Sequence, residues 1–482
     1  MSELFASHLE HPLGRGHCPE GAFTGAAGGA ACGDLIRVSL TLDATDGQGR
    51  IDDAGFDASG CGAIVAAGSA AVELLRGTPV LEAARIGAQE IAGELGGLAP
   101  SKRHAAELAA DALHRALGAA VREHAALTHC SRRTLVAMSG GVDSAVAALL
   151  IARDGAQAVG VTLELWSDAD NDGDLSCCSA QAVHSARALA HELGMPHLSI
   201  DLRAEFRAGV VEHWLADHAA GLTPNPCVRC NGNVRLDAML ELASRLGSQT
   251  LATGHYARIV DGPPTLLMSA AEERKDQSYV LAALAPESLA RLRFPLGGLH
   301  KHEVRELAAQ AGLAVARKPE SQDLCFLAGT NHGEFLARHG ALGARPGAIL
   351  DGDGRVLGEH AGAHVYTVGQ RRGLRVSGNE PLYVLATDTH ANTVTIGPRR
   401  ALLARELSVR EATLHRDGRC VDGVRVRAHG RRLACRVSDD AGAGAHARLA
   451  IELREPAARA APGQLACLYA GEVVVGHGTI TA

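Results

Sequence analysis

The chain has 482 residues, 46% of them apolar, and a formal charge of -7, which predicts about three domains with ample core-forming material. The longest small-apolar run, Ala63 to Leu75, is broken by Gly, Ser and Glu and is too short to cross a bilayer, so no membrane association is expected. Met1-Ser2-Glu3-Leu4-Phe5 has neither a basic nor an apolar leader segment, so export is not expected and a cytoplasmic location is.

Residues 1 to about 122 read as a small α+β unit. Ile36, Val38, Leu40 and Leu42 alternate with Arg37, Ser39 and Thr41, the period of a half-buried strand. After the turn-rich Asp43 to Gly49, a second strand passes through Phe56 to Gly60-Cys61-Gly62 and an Ala-rich helix. A further helix is expected from about Ala105 to Ala120. Glu123 to Arg133 is largely polar and reads as a linker.

From residue 133 to about 330, β and α patterns alternate. Strands are expected at Thr134 to Met138, Ala158 to Leu165, His197 to Leu202 and Thr250 to Thr253. Helices are expected from the first strand to Arg153, then at Ala180 to Gly194, Ala204 to Ala220 and Asn233 to Gly247. This order implies an α/β domain with a parallel sheet, helices on both faces, and ligands at the carboxyl ends of the strands. In Thr223-Pro224-Asn225-Pro226-Cys227-Val228-Arg229-Cys230-Asn231, the two prolines argue against a helix and for a cysteine pair on a rigid loop.

Past Arg345 the texture changes. Gly347 to Leu350 and Arg355 to Gly358 flank Asp351-Gly352-Asp353-Gly354, a hairpin signal, and short alternating strands follow. A small β-rich domain at 338–398 and a compact β-barrel at 402–482 are expected.

The first strand of the α/β domain runs into Ser139-Gly140-Gly141-Val142-Asp143-Ser144 and then an apolar helical run, so helix-start N–H groups can converge on phosphate. A Walker loop has a Lys after its last Gly; none stands here. Lysine is scarce throughout, with only Lys102, Lys275, Lys301 and Lys318, so each survivor is a candidate for a task that needs a compact ammonium. From Arg399 to Arg436, eleven Arg face four acidic residues, a local basic excess that the overall charge hides. Twelve unevenly spaced cysteines point to metal or sulfur chemistry rather than a disulfide framework, some of them serving as small buried hydrophobes.

The Ser-Gly-Gly-Val-Asp-Ser loop resembles the PP-loop of ATP pyrophosphatases, which split ATP between its α- and β-phosphates. With it go Thr253-Gly254-His255-Tyr256, the Pro-rich cysteine segment, Lys275-Asp276-Gln277-Ser278-Tyr279 and Glu320-Ser321-Gln322-Asp323-Leu324-Cys325-Phe326. Together these resemble the MnmA-type tRNA 2-thiouridine synthases over residues 133 to 482. The resemblance implies ATP-dependent replacement of the C2 oxygen of the wobble uridine by sulfur, through adenylation, a cysteine persulfide and AMP release. It implies Cys325 as persulfide carrier and Cys230 as the cysteine acting with it. It implies ATP contacts at Ala137, Met138, Ser139, Gly140, Gly141, Val142, Asp143, Ser144, Leu163 and Gly254. Asp143 is expected to hold Mg²⁺ or orient the pyrophosphate. It implies tRNA contacts at Asn225, Pro226, Cys227, Lys275, Asp276 and Gln277, and at Arg427 and Ala428 of the barrel. There the usual aromatic and basic neighbours are replaced by Ala428 and His429.

Cys227 makes a CxxC pair with Cys230, so an iron–sulfur cluster held by Cys227, Cys230 and Cys325 stays open beside persulfide transfer. Cys177-Cys178 read as structural or accessory thiols. The expected partners are the anticodon arm of tRNA and a persulfide donor such as a cysteine desulfurase or relay protein. A PP-loop amidating enzyme and a pure iron–sulfur or sulfur carrier are the competing readings; the first leaves Cys230 and Cys325 without a task.

Residues 1–122 resemble the IscU/NifU iron–sulfur scaffolds through Ala31-Cys32-Gly33-Asp34, Gly60-Cys61-Gly62 and Lys102-Arg103-His104. The resemblance implies a metal or cluster site at Cys32, Asp34, Cys61 and His104. The family's third Cys is here Ala105, which removes a soft ligand, and Cys18 is a candidate substitute. Whether the module still assembles a cluster is left open. Fusion to the synthase is expected to raise the local concentration of a sulfur donor.

Overall fold

The computed structural model describes residues 2–28, 33–168, 180–319, 324–327, 329–438 and 440–481. The amino-terminal unit is an antiparallel sheet of β1 (Phe23–Gly28), β2 (Leu35–Asp43) and β3 (Arg50–Ser59) in sequence order. The Gly62–Leu75 helix covers β3, and the Arg103–His124 helix lies across β1 and β2. The expected apolar face of β2 is buried at Ile36, Val38 and Leu40, but Ser39 on the other face is buried as well and Leu42 only half-buried. Strand β1 and the short helix Glu3–Glu10 were not foreseen; both are short and rich in small or polar residues.

The α/β domain brings β4 (Arg133–Ala137), β5 (Gln157–Glu164), β6 (His197–Asp201) and β7 (Thr250–Ala252), then the hairpin β8 (Arg258–Val260) and β9 (Leu266–Met268), then β10 (Leu292–Arg293). Five of these form a parallel sheet in the order β10-β7-β4-β5-β6. The order reverses beside β4, so the loop leaving β4 opens at the switch point where ligands of such sheets bind. Gly155 ends the first helix with φ +74, as the sequence implied.

The cysteine segment corrects the sequence reading. The chain turns helical at Pro226–Cys230 and continues through Asn231–Arg235 and Leu236–Arg245. Pro226 stands in the helix's first turn, where its missing N–H costs nothing, and the Asn225 side chain caps the start by accepting from Cys227 N at 3.0 Å.

The expected linker is also not slack. Ala125 and Leu127 are buried, and the N–H groups of Leu127, Thr128 and Cys130 donate to Arg245 O, Gly47 O and Gly247 O at 2.8 to 2.9 Å. One apolar core runs through both the amino-terminal unit and the α/β domain.

Strands β11 (Gly347–Leu350), β12 (Val356–His360), β13 (Leu382–Asp388) and β14 (Thr393–Pro398) make a small sheet in the order β12-β11-β14-β13. The expected hairpin joins β11 and β12, with Gly354 at φ +84 in its turn. Strands β15 (Leu403–Leu414), β16 (Gly423–Arg425), β17 (Leu433–Val437), β18 (Gly444–Ala458), β19 (Leu465–Ala470) and β20 (Val473–Ile480) close into a barrel through a β15–β20 pairing. The β8–β9 hairpin of the α/β domain pairs onto β20 and extends that sheet. Among the described residues no helix is long and apolar enough to cross a membrane.

Candidate active site

The loop after β4 is built from contacts within itself. Ser144 Oγ accepts from Ser139 N at 3.1 Å and donates to Gly141 O at 3.1 Å, closing the turn. Gly140 has φ +67, and a Cβ there would stand 2.7 Å from Ala182 O. A Cβ on Gly254 would stand 2.8 Å from Asp143 C and Ser144 N, so the Thr253–Tyr256 segment lies directly against the helix start. The loop can take no side chain at either place. What it presents is backbone at the amino end of the Val142–Arg153 helix, where N–H groups and helix dipole favour an anion.

Asp143, in the first turn, is gripped on one oxygen. Its Oδ1 accepts from Tyr256 OH at 2.9 Å and from Lys301 Nζ at 2.6 Å. Lys318 Nζ donates to Gly140 O at 3.0 Å. Two of the four lysines therefore meet this loop; their scarcity was the available signal, but their distance in sequence gave no means of placing them here. Tyr256 is itself held by Gln277, whose Oε1 accepts from Tyr256 N at 2.9 Å while Gln277 N donates to Tyr256 O at 2.8 Å. Burial, with a smaller contribution from Arg235, pushes the His255 imidazole down to about 3, and Thr253 Oγ1 holds its Nδ1 at 2.8 Å. Ala137, Met138 and Leu163 line the same strand ends, buried.

Both cysteine segments dock on the helical run Arg203 to Ala219, which follows β6. Arg229, between Cys227 and Cys230, donates Nε–H to Gly209 O at 2.6 Å. Phe326, next to Cys325, packs its ring 6.0 Å from Phe206 and 5.3 Å from Trp214, and 6.4 Å from Trp166 just past β5. Cys230 is buried, Cys325 half-buried and Cys227 exposed. Both thiol segments thus stand at the carboxyl edge of the sheet, the edge that carries the Ser139–Ser144 loop. Glu320 to Asp323, Cys177 and Cys178 lie outside the described residues.

The segment Lys275–Gln277 meets the barrel through a buried ion pair. Asp276, 7% exposed, accepts from Arg425 at 2.6 Å and from Ser278 Oγ at 2.8 Å, and Ser278 Oγ in turn lies 3.0 Å from Tyr469 OH. Asp276 is therefore a fastener between domains, not a surface contact. The pair brings Lys275 and Gln277 toward the turn that carries exposed Arg427 and half-buried Ala428. Part of the Arg excess is engaged elsewhere: Arg400, Arg410, Arg419 and Arg436 pair with Glu380, Glu411, Asp417 and Glu452.

In the amino-terminal unit, ligand atoms of Asp34, Cys61 and His104 lie within 4.8 Å of one another. Asp34, 3% exposed, accepts from Cys61 N at 2.8 Å and from Cys61 Sγ at 3.1 Å, and His104 Nε2 lies 3.1 Å from its Oδ2. Burial opposes the Asp34 carboxylate, but the bonds from Cys61 and His104 outweigh it and lower its pKa. One thiol, one carboxylate and one imidazole are a donor set suited to a borderline ion such as zinc or iron. Cys32 lies outside the described residues, and Ala105 is fully buried. Cys18 does not stand in for the missing thiol. Its neighbour His17 touches Asp53 and Gly55, and β3 separates Gly55 from Cys61 by roughly 20 Å at the usual strand rise.

Four family models match in series: a NifU-like N terminal domain over residues 2–125, a tRNA methyl transferase HUP domain over 132–329, a tRNA methyl transferase PRC-barrel domain over 333–398 and an aminomethyltransferase beta-barrel domain over 399–480. A bifunctional protein NifU/MnmA of Rubrobacter xylanophilus is 43% identical over 98% of this chain and 97% of its own length. The tRNA-specific 2-thiouridylases MnmA of Chloroflexus aurantiacus and Thermobifida fusca are 42% and 44% identical over 72% of this chain, covering 97% and 95% of theirs. The order of domains, the loop at the sheet's switch point and these matches agree: the chain belongs to the family of bifunctional NifU/MnmA proteins, enzymes that join a NifU-like domain to a tRNA 2-thiouridylase.

Proposed function

We propose that this chain thiolates tRNA at C2 of the wobble uridine, spending ATP to make the C2 oxygen a leaving group. The observation that carries the reading is that the phosphate-binding loop and both cysteine segments share one edge of the parallel sheet. ATP is the co-substrate, its phosphates cradled by Ser139 to Ser144. The uridine O2 attacks the α-phosphorus and pyrophosphate leaves. Lys301 and Lys318 stand where the departing charge develops and take the part of the lysine that a Walker loop carries. Both known contacts of Asp143 fall on Oδ1, so Oδ2 suits Mg²⁺, which would neutralise the pyrophosphate.

The terminal sulfur of a Cys325 persulfide then attacks C2, and AMP departs with the former O2. Cys230 thiolate attacks Cys325 sulfur, breaking its bond to the transferred sulfur. The product is 2-thiouridine and a Cys230–Cys325 disulfide, reduced before the next turnover. The target atom lies on the base-pairing side of an anticodon base, so the base must leave its stack. Lys275 and Arg427, joined through the Asp276–Arg425 pair, are suited to phosphates of the anticodon arm.

The test is nucleoside mass spectrometry after incubation of tRNA with the full chain, ATP, a protein persulfide and a reductant for the disulfide. The expected result is 2-thiouridine with one AMP per sulfur. Cys325→Ser should abolish thiolation supplied by a protein persulfide. Release of ADP in place of AMP, or undiminished persulfide-driven turnover by Cys325→Ser, defeats the reading.

A further inference from the structure

We infer that sulfur carried at the Cys61 site passes to the thiolation centre of a second copy of the chain and not to its own. The inference rests on the proposed thiolation at Cys325. The Arg103–His124 helix climbs along β6 in step with it. His114 Nδ1 lies 2.9 Å from His197 O, a Cβ on Gly118 already falls against Ser199 O, and Arg122 donates to Asp201 O at 2.9 Å. The helix thus runs from the amino to the carboxyl end of the strand. His104, at its start, is about 27 Å below Arg122 at the α-helical rise per residue. Asp34 and Cys61 are at His104. The ATP loop leaves β4 at the carboxyl end, about level with Arg122, because Ala137 pairs with Val161 and Glu164 with Asp201, and Phe326 beside Cys325 packs on Trp166 just past β5. The two sites lie toward opposite ends of β6.

Buried contacts hold them there. Asp111 pairs with His184 and with Arg187, whose side chain is 7% exposed. Arg115 grips Glu164, 9% exposed, through two bonds of 3.0 and 3.1 Å. His114 is fully buried, with its other nitrogen 2.9 Å from Ile86 O. The connecting residues are pinned to the α/β domain, so they cannot serve as a swinging tether. Sulfur transfer needs bonding contact between sulfurs. A gap of this size, across a docked interface, leaves intermolecular delivery as the available route.

The Cys61 site is equipped for such a hand-off. Its thiol, half-buried at the start of the Gly62–Leu75 helix, donates to a buried carboxylate that His104 also holds. An external protein persulfide charges Cys61. The Cys325 thiolate of another copy attacks the terminal sulfur, the Cys61 S–S bond breaks, and Cys61 leaves as thiolate. The persulfide moves without net oxidation. The contact is head-to-tail, unlike faces of two copies meeting.

The experiment mixes two full-length variants, Cys61→Ser and Cys325→Ser, with tRNA, ATP and a limiting protein persulfide. Each alone should fall at least tenfold below wild type. The mixture should recover a rate that rises with the concentration of either variant, and wild-type turnover per molecule should fall on dilution. His104→Ala serves as a second donor-side variant if Cys61→Ser folds poorly. A dead mixture beside a dilution-independent wild type overturns the inference, and so does full activity of Cys61→Ser at limiting donor. Excess persulfide donor, enough to charge Cys325 directly, separates the two levels. A wild type that makes 2-thiouridine under that excess keeps the function while the mixing result at limiting donor decides the route; one that makes none overturns both.

Discussion

Lys301 is the residue whose role the loop geometry defines most narrowly. Its ammonium is 2.6 Å from Asp143 and 5.8 Å from the Tyr256 ring, on a side chain 11% exposed. Holding a lysine this far from water is costly, and the cost is offset by a carboxylate and an aromatic face. In the proposed adenylation, a charge so placed would act most on the departing pyrophosphate, since it is fixed before the reaction begins. Lys301→Met should therefore slow pyrophosphate release by roughly 100-fold or more while changing ATP affinity by less than about tenfold, and Lys301→Arg should restore part of the loss. Single-turnover pyrophosphate release and equilibrium ATP binding measure the two terms separately. Equal losses in both would mean that Lys301 only binds ATP. The sequence drew attention to this residue through lysine scarcity alone; its partner Asp143 is 158 residues away, a pairing that only the packed sheet creates.

Among the elements, the segment around Asp276 joins catalytic domain to barrel. Asp276 and Arg425 have side chains 1% and 8% exposed, so removing either partner leaves a charge buried without its counter-ion. Asp276→Ala or Arg425→Met should each cost about 3 kcal/mol, and the double variant less than the sum of the two. Urea unfolding of the three variants checks this; strict additivity would mean that the pair does not act as a unit. The sequence showed strands β4 to β7, their parallel run and the Ser139–Ser144 loop because hydrophobic period and glycine placement are local signals, while the short β8, β9 and β10 escaped it. It misread Pro224 to Asn231 because proline's penalty depends on position: Pro226 in a first turn begins a helix that the same residue would break further in. The resemblance assigned Asp276 to a tRNA contact, and no local pattern distinguishes a buried ion pair from a surface carboxylate. Arg425, its partner, lies in another domain.

At the scale of the whole molecule, the amino-terminal unit and the α/β domain share a helix, a core and a charged seam, and the seam gives their docking a pH dependence. Asp111 is central to it. Burial raises its pKa, but the hydrogen bond from His184 and the charge of Arg187 outweigh burial and bring it to about 2, below the ordinary 3.8. A carboxylate with a depressed folded-state pKa stabilises the fold above its unfolded pKa and loses that contribution as pH falls through the folded value. The seam should thus be fully held above about pH 4 and lose on the order of 2 kcal/mol on acidification toward pH 2. Asp111→Asn should weaken it already at neutral pH, because Arg187 stays buried without its counter-charge, and should flatten the acid-dependent part. Hydrogen exchange of the Arg103–His124 helix in the full chain, followed from pH 6 to pH 3 after correction for intrinsic rates, reads the opening. Exchange there that is insensitive to both acid and Asp111→Asn would show the helix held by its apolar contacts alone. Loss of protection confined to that helix and β6 would instead tie its position to the charged seam, and with it the separation of the two sulfur sites.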